Sequence, residues 1–361
     1  MPTVDALTVT TATIPTDAPE SDGTLAWDAT TIVLVEVRSG ATTGLGWTYG
    51  PDAAAAVVAG TLRDNVVGAD ALAIPRIWHA NERAVRNAGR VGIAALAVSA
   101  VDIALWDLKA RLLGVAVADL VGRFHEEVPV YGSGGFCSYT DAQLREQTSR
   151  YVELGIPRVK IKVGRDKDRD EHRCRVVREA IGPDVELYVD GNGAYGRQEA
   201  LDWAHRFAAG AGVRYFEEPV SSDDLEGLRY LRDRVPASMV VAAGEYGWDL
   251  PSFVPMLDAV HVQQADVTRC GGITNLLRVG ALCQAAQVPF SAHCAPTISA
   301  HACCGIQTLA HLEYFHDHVR IEELLFDGVP APQGGALRPD AGRPGLGVEL
   351  RRDVLSDLAA G

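Results

Sequence analysis

The sequence is short of positive charge. Its 361 residues contain 33 Lys and Arg against 47 Asp and Glu, which gives a formal net charge of -14. Nucleic acids and anionic membrane surfaces select basic proteins, so neither is expected as a partner. If the substrate is an anion, positive groups must be concentrated at one place in the molecule.

Long hydrophobic runs are also lacking, and no stretch is long enough to cross a bilayer as a helix. The N-terminal stretch MPTVDALTVT has neither the basic start nor the apolar centre of a secretory signal, so we expect a cytoplasmic protein. The seven cysteines are odd in number and form no CxxC pair, and Cys303 and Cys304 are adjacent in an apolar segment. They are expected to be reduced, structural thiols.

The chain divides into two parts that differ in their predicted order of strands and helices. Up to about residue 125, an early strand (TTIVLVEV, 30–37) is followed by helical patterns, which is an α+β layout. In 126–325, short apolar strands alternate with amphipathic helices, as is typical of a parallel sheet closed into a barrel. The Gly- and Pro-rich tail, 326–361, is expected to pack back on the first domain. The barrel strands are predicted near residues 128–134, 158–163, 185–190, 213–217, 239–244, 260–264, 288–292 and 312–315.

Two lysines lie close together in the barrel segment PRVKIKVG, 157–164. Side chains of a strand alternate between its two faces, so Lys160 and Lys162 point the same way and their apolar neighbours point the other. Such a pair is ordinarily the solvated face of an exposed sheet. The strand pattern alone does not decide between that interpretation and a functional pair, but the residues that follow do.

Acidic side chains end the next strands at regular spacing. From Lys162, the steps to Asp190, Glu217 and Glu245 are 28, 27 and 28 residues, about one strand and helix each. The carboxyl ends of barrel strands converge on one mouth, where three carboxylates repel one another unless a cation joins them. All-oxygen ligands suit Mg²⁺ better than Zn²⁺, and Mn²⁺ could replace it. Because strand neighbours alternate, only one of Glu217 and Glu218 is expected in the mouth.

An Asp and a His end two further strands, in HVQQADVTRCGG and PFSAHCAP. A lone His after a strand is more often structural. Here Asp266 can accept a hydrogen bond from the imidazole of His293, which fixes its tautomer and raises its pKa, so that His293 can serve as an acid or a base. Asn192, two residues after Asp190, is a candidate for contact with the substrate or with metal-bound water.

Taken together, these segments resemble one enzyme family. LYVDGNGAY, YFEEPV, AAGEYG, VKIKVG, SAVDIALWDLKARLLG, QADVTRCGG and SAHC are similar to motifs of the enolase superfamily and, within it, of the mandelate racemase subgroup. The similarity covers nearly the whole chain. It implies a modified (β/α)7β barrel with an α+β capping domain, one Mg²⁺ held by Asp190, Glu217 and Glu245, and a homo-oligomer.

The resemblance also implies the reaction, which begins with removal of the proton α to a carboxylate. In such sites a Lys or His base works beside Mg²⁺. On this sequence Lys160 would contact the substrate carboxylate, Lys162 would be the base, and His293 with Asp266 would act from the opposite side. Glu313 matches a family acid that donates a hydrogen bond to the substrate carboxylate. A lysine base must be neutral, and the Lys160 ammonium and the cation are expected to lower the pKa of Lys162.

Two polar segments of the first domain are predicted to be loops above the mouth. TDAPESDGTLAWD (16–28) includes Trp27, and GLGWTYG (44–50) includes Trp47 and Tyr49. Their hydrogen-bonding groups fit a polyhydroxylated small-molecule carboxylate better than an aromatic one. We therefore predict a dehydratase that converts an acid sugar, an aldonate or aldarate, to a 2-keto-3-deoxy acid.

Two other functions stay open at this point. A racemase or epimerase of a 2-hydroxy acid or related carboxylate would use the same two bases without loss of a hydroxyl. A barrel that has lost catalysis and acts as a binding or assembly protein would be expected to lack a base or a metal ligand, and all the expected positions are occupied.

Overall fold

The computed structural model describes residues 1–360. Its first part, the cap, holds a three-stranded antiparallel sheet in the order β1–β2–β3, against which the long apolar helix α4 packs. The strands are β1 (Ala6–Ser21), β2 (Ala26–Ser39) and β3 (Thr42–Tyr49). The helices are α1 (Ala53–Val57), α2 (Arg63–Val66), α3 (Ile74–Ala84), α4 (Ile93–Leu113) and α5 (Val117–Leu120), with a π-helical turn (Val58–Leu62) between α1 and α2.

The segment 44–50 is part of strand β3, so its prediction as a loop was wrong. Gly44 and Gly46 allow close packing within this strand. A β-carbon at either position would overlap the backbone of α4. The absence of side chains here lets the strand lie directly on the helix.

The segment 16–28 is also mostly strand. β1 runs to Ser21 and β2 starts at Ala26, so only a tight hairpin of four residues connects them. The register between these two strands shifts between Pro15 and Glu20. A proline cannot donate to a ladder, and here the irregular register accommodates it.

Eight parallel strands form the barrel, as the sequence predicts. Neighbouring strands pair in chain order, and the pairing of β11 with β4 closes the sheet. Together with the antiparallel cap, this confirms the predicted fold class. The strands are β4 (Val128–Gly134), β5 (Arg158–Lys162), β6 (Glu186–Asp190), β7 (Val213–Glu217), β8 (Val240–Ala243), β9 (Val262–Asp266), β10 (Phe290–His293) and β11 (Leu309–Phe315).

Helices follow the barrel strands and cover them on the outside. They are α6 (Asp141–Glu153), α7 (Lys167–Ile181), α8 (Arg197–Ala211), α9 (Leu225–Arg232), α10 (Leu250–Met256), α11 (Gly272–Ala286), α12 (Pro296–Cys303) and α13 (His316–Leu325). Apolar residues of the strands and helices form one continuous core, which includes Val159, Ile161 and Phe216.

The C-terminal tail contacts both the cap and the barrel. Strand β13 (Ala336–Leu337) pairs antiparallel with β4, while β12 (Phe326–Asp327) pairs with β14 (Glu349–Leu350). The last helix, α14 (Arg352–Ala360), begins with an ion pair between Arg352 and Glu36 of the cap. The domain boundaries at residues 125 and 325 stay a prediction.

The cap is joined to the barrel at the N-terminus of α11. Both carboxylate oxygens of Asp102, on α4, accept hydrogen bonds from Thr274: one from the backbone N–H at 2.9 Å and one from the hydroxyl at 2.6 Å. The Trp106 indole donates to the same hydroxyl. A helix N-terminus has unpaired N–H groups, and here a carboxylate of the cap satisfies one of them.

The sequence predicts neither a membrane-spanning helix nor a disulfide. Within residues 1–360, no helix combines the length and apolar character needed to span a bilayer. All seven cysteines lie in the described part of the chain and are free thiols.

Candidate active site

The strand register brings the predicted catalytic groups together at the carboxyl ends of the strands. Lys162 pairs in register with Asp190, and Asp190 pairs with Glu217, so the three lie side by side on β5, β6 and β7. On the other side, His293 is in register with Asp266. The mouth of the barrel is therefore lined by the residues that the sequence singled out.

The two lysines share one face, but they have different surroundings. Lys160 is fully buried, with its ammonium 2.6 Å from a Glu217 oxygen and 2.8 Å from a Glu313 oxygen. Lys162 reaches the cavity and lies 2.6 Å from Asp190 Oδ2. This arrangement excludes the solvated-face interpretation of the pair.

The charge on Lys162 differs from the sequence-based expectation. Burial lowers its pKa, and the Lys160 ammonium lowers it further, as predicted. The carboxylates of Asp190, Glu245 and Glu313 together outweigh both effects and raise the pKa of Lys162. A short contact with a full negative charge stabilises the ammonium more than a second ammonium destabilises it.

The acids form a dense group of negative charge. Burial and then the neighbouring Asp190 raise the pKa of Glu217 to about 8. Glu217 Oε1, Glu218 Oε1 and Asn192 Oδ1 are buried and have no hydrogen-bond donor among the described residues. Buried oxygens without donors suit a hard divalent cation such as Mg²⁺ or Mn²⁺. Of the three predicted ligands only Glu217 has such an oxygen, whereas Asp190 is paired with Lys162 and Glu245 with His293.

The expectation that only one of two adjacent glutamates faces inward was wrong. Glu217 and Glu218 are both buried. Strand β7 ends at Glu217, and Glu218 follows with a positive φ of 37°, so the alternation of a strand no longer applies to it. The charges of Glu245, Asp190 and Glu217 add to burial and raise the pKa of Glu218.

His293 and Asp266 form the predicted pair. Nδ1 of His293 lies 2.7 Å from Asp266 Oδ2, and the other Asp266 oxygen accepts two hydrogen bonds from Thr268. Nε2 of His293 faces Glu245 at 2.6 Å and Glu313 at 3.3 Å. Burial would lower the pKa of His293, but its contact with Cys294, the charges of Glu245 and Glu313 and the hydrogen bond to Asp266 raise it, which favours the imidazolium.

Glu313 accepts rather than donates in this arrangement. Its oxygens accept from the Ser133 hydroxyl at 2.6 Å and face Lys160 at 2.8 Å. Burial would raise its pKa, yet Lys160 and His293 outweigh burial and lower it. The expected donation of a proton from Glu313 to a substrate carboxylate is therefore not supported by its surroundings.

The pocket above the mouth has a volume of about 300 Å³. Lys162, His293, Glu245 and Asn192 line its floor. Trp27 and Tyr49 line it from the cap, as predicted; the Trp27 indole donates to Glu20, and the Tyr49 ring stacks on His318 at 3.5 Å. A larger cavity of about 460 Å³ lies beside α6 and α13, and none of the predicted site residues lines it.

Trp47 does not reach the pocket, which corrects its prediction as a substrate-binding residue. It is fully buried, and its ring stacks on Phe326 with 4.5 Å between centroids. Trp47 and Tyr49 alternate with Thr48 on β3, so they share one face, but Tyr49 lies at the end of the strand, above the mouth.

Some residues of the site were missed by sequence reasoning. Ser133 on β4 and Cys294 after β10 both contact Glu313, and Arg269 lies 3.4 Å from Glu245 and from Asp266. Each lies at the end of a barrel strand or within three residues after it. This position could have marked them as candidates for the site, but their side-chain types did not distinguish them from ordinary loop residues.

A closed parallel barrel with a lysine on one side of its mouth, a His–Asp pair on the other and carboxylates between them has the groups that proton-transfer chemistry requires. The chain belongs to the mandelate racemase/muconate lactonizing enzyme family of the enolase superfamily. Residues 6–122 match the N-terminal domain model of that family, and residues 143–354 match the enolase C-terminal domain-like model. The family resemblance found in the sequence is confirmed.

Three curated relatives share most of the chain. D-galactarolactone cycloisomerase of Agrobacterium fabrum is 31% identical over 95% of this chain and 95% of its own length. 3,6-Anhydro-alpha-L-galactonate cycloisomerase of Streptomyces coelicolor is 34% identical over 91% of both. Arabinonate dehydratase of Saccharolobus solfataricus is 28% identical over 85% of this chain and 83% of its own. These relatives are cycloisomerases and a dehydratase of acid sugars, and the present chain is an enzyme of the same superfamily.

Solved structures are similar over nearly the full length. A mandelate racemase/muconate lactonizing enzyme-like protein from Rubrobacter xylanophilus has a TM-score of 0.98 and 58% identity, with 99% of both chains covered. A racemase from Streptomyces coelicolor with bound magnesium has a TM-score of 0.92 and 30% identity, covering 98% and 99%. L-talarate dehydratase from Polaromonas, complexed with Mg and L-glucarate, has a TM-score of 0.88 and 27% identity, covering 99% and 97%.

Proposed function

We propose that this enzyme removes the proton α to the carboxylate of an acid sugar and then expels the β-hydroxyl, which yields a 2-keto-3-deoxy acid. The observation that supports it is the placement of Lys162 and His293 around one small cavity. Their strands, β5 and β10, are separated by β4 and β11 on one side and by four strands on the other. A substrate between them would meet a base on one face and an acid on the other.

Asp190, Glu217 and Glu245 would hold the divalent cation, Mg²⁺ or in its place Mn²⁺. Magnesium in two of the similar structures supports this choice. When bound, the cation supplies positive charge to the substrate carboxylate, where negative charge grows as the α-proton leaves. Lys160 is buried beside the same acids and would add a second positive charge.

Asp190, which stabilises the Lys162 ammonium at 2.6 Å, would be engaged by the cation, and Lys162 would then take the α-proton as the neutral amine and become an ammonium. His293, as imidazolium, would donate its proton to the oxygen on the β-carbon, and the carbon–oxygen bond would break to release water. The resulting enol would tautomerise to the keto acid. Asp266 holds the imidazole by Nδ1, so the proton would be donated from Nε2, which in the absence of substrate faces Glu245 at 2.6 Å.

Two alternatives use the same residues. If the leaving oxygen belongs to a ring, elimination opens the ring without loss of water, as the names of the two cycloisomerase relatives indicate for those proteins. If no group leaves, His293 would return a proton to the opposite face and the product would be an epimer. The neighbour described as a racemase supports that possibility.

The test is incubation of the Mg²⁺-loaded enzyme with a library of aldonates, aldarates and their lactones. Keto acid with the loss of one water in the mass spectrum would indicate dehydration, a product of unchanged mass would indicate cycloisomerisation or epimerisation, and α-proton exchange in D₂O reports the first step alone. His293→Asn is expected to lower keto acid formation by about 10²- to 10⁴-fold while exchange persists. The exposed His205→Asn is the matched control. Absence of exchange with every acid would contradict the proposal.

We also propose a homo-oligomer in the cytoplasm, as the family resemblance implies for assembly. Light scattering of the purified enzyme measures its mass directly. A monomeric mass at micromolar concentration would contradict the first part of this proposal.

A further inference from the structure

We infer that the substrate carries a single carboxylate and that its far end, beneath the cap, is uncharged and hydroxylated. An aldonate or its cyclic form would meet this description, whereas a dicarboxylic aldarate would not. The inference rests on the proposed function and narrows its substrate class. It is drawn from the side chains that the cap presents to the pocket.

The side chains of the cap wall are those of Asp22, Leu25, Trp27, Thr30, Thr31 and Tyr49, with Ala29 and Gly50 between them. These residues offer hydroxyl groups, two aromatic rings and one carboxylate. The barrel residue Asp317 lies beside them, and one of its oxygens accepts a hydrogen bond from the Thr30 hydroxyl at 2.7 Å. Neither Lys nor Arg is among the described cap residues that line this pocket.

All positively charged groups of this pocket belong to the barrel. Lys162 and His293 are the proposed base and acid. Arg269 lies 3.4 Å from Glu245 and from Asp266, so its charge is already opposed by two carboxylates. His318 accepts a hydrogen bond from a backbone N–H, and burial lowers its pKa to about 3, so it is neutral.

Two further arginines lie near the cap wall, but neither lines the pocket. Arg165 donates to the backbone carbonyls of Asp22 and Leu25 and lines a neighbouring cavity rather than this one. Arg320 is paired with Asp317 at 3.0 Å. A second substrate carboxylate would therefore meet the negative charge of Asp22 on a wall that presents neither Lys nor Arg to the pocket.

A hydroxyl group fits the same position. One oxygen of Asp22 accepts from the N–H groups of Thr24 at 2.6 Å and of Leu25 at 2.7 Å, which fixes the carboxylate within the hairpin. Sugar hydroxyls can donate to such a carboxylate, whereas another carboxylate can only accept and repels it. The cap wall therefore favours substrate groups that donate hydrogen bonds and disfavours substrate groups with a negative charge.

The experiment compares pairs of aldonates and aldarates of the same chain length and configuration, such as gluconate and glucarate. Binding to the Mg²⁺-loaded enzyme is measured by calorimetry and turnover by keto acid formation. We expect the better aldonates to exceed their aldarate partners by at least about tenfold in affinity, since one like-charge contact readily costs that factor. Equal or tighter binding of aldarates would overturn the inference whether or not either compound is turned over. Loss of α-proton exchange with all acids would instead overturn the proposed function.

Two matched variants separate the cap wall from the general charge of the protein. Asp22→Asn keeps an acceptor for the hairpin N–H groups and is expected to reduce the preference for aldonates about fivefold or more, through better binding of aldarates. Asp28→Asn removes the same charge from the same hairpin, but Asp28 is exposed and lines the neighbouring cavity. It is expected to leave the preference unchanged. Equal shifts in both variants would contradict the role of the cap wall.

Discussion

The floor and the cap wall of the pocket are built in opposite ways. On the floor, buried charges are matched at short distance, such as Lys160 with Glu217 at 2.6 Å and His293 with Asp266 at 2.7 Å. On the cap wall, hydroxyls and aromatic rings dominate, and the one carboxylate is held by backbone N–H groups. The floor therefore supplies proton transfer, while the wall supplies recognition. This difference predicts which substitutions destroy the reaction and which only redirect it.

Removal of the base should have the largest effect on the floor. Lys162→Ala is expected to lower α-proton exchange by about 10³-fold, because no other neutral base lies in its place. NMR in D₂O measures the exchange. Lys167→Ala serves as the control, because Lys167 lies at the start of α7, outside the pocket, where it pairs with Glu199. Near-normal exchange in the Lys162 variant would show that the base is another residue.

The two buried glutamates allow the proposed cation site to be tested separately. Loss of a residue that only holds a metal ligand in place typically weakens metal binding by about 10- to 100-fold. Loss of a direct ligand in Glu217→Gln should therefore weaken the binding of the cation by at least about 100-fold. Glu218→Gln should weaken it by about tenfold or less. Calorimetric titration with Mg²⁺ and Mn²⁺ compares the two. The opposite order would place Glu218 rather than Glu217 on the cation.

Two tryptophans allow the pocket wall of the cap to be compared with the interior of the cap. Trp47 is fully buried against Phe326, and Trp47→Ala is expected to reduce the free energy of unfolding by about 3–5 kcal/mol. Trp27 is half-buried at the pocket, so Trp27→Ala should change the KM more than the stability. Urea unfolding and substrate kinetics on both variants measure this. A large rise in KM for Trp47→Ala without loss of stability would restore its predicted role in binding.

The barrel was predictable from the sequence to a degree that the cap was not. All eight barrel strands were located within a few residues, since each is a short apolar run followed by a polar strand end. In the cap, the segments 16–28 and 44–50 were predicted to be loops because of their hydrogen-bonding residues, but most of each is strand. Gly44 and Gly46 are determined by contact with α4, which is distant in sequence. Local pattern does not contain that information.

Within the site, the positions of residues at strand ends were predicted, but the protonation states that follow from their neighbours were not. Strand ends identified Lys162, Asp190 and His293. The raised pKa of Lys162 and the acceptor role of Glu313 arise from partners on other strands. The inward position of Glu218 arises from a backbone φ of 37° that the sequence does not specify.

The contact that joins the cap to the barrel should have the smallest effect, and it depends on pH. Burial raises the pKa of Asp102 from 3.8 to about 7, although its hydrogen bonds with Thr274 lower it. Between about pH 4 and pH 7 the unfolded chain has lost this proton while the folded chain keeps it, so the contribution of Asp102 to stability falls as the pH rises. Asp102→Asn removes the ionisation and keeps an amide beside Thr274.

We therefore expect the melting temperature of Asp102→Asn to fall less between pH 4 and pH 7 than that of the parent enzyme, by about 2–4 °C. Thermal unfolding monitored by circular dichroism at several pH values measures the difference. Asp141→Asn is an informative control, because Asp141 lies on the surface, pairs with His172 and has a lowered pKa. An acid with a lowered pKa gains its stabilising effect below about pH 4 and keeps it at higher pH, so Asp141→Asn should leave the change in melting temperature between pH 4 and pH 7 close to that of the parent enzyme. Parallel profiles for the parent and Asp102→Asn would mean that Asp102 is already ionised at pH 4, and that the cap is held to α11 by a charge rather than by a neutral hydrogen-bonded acid.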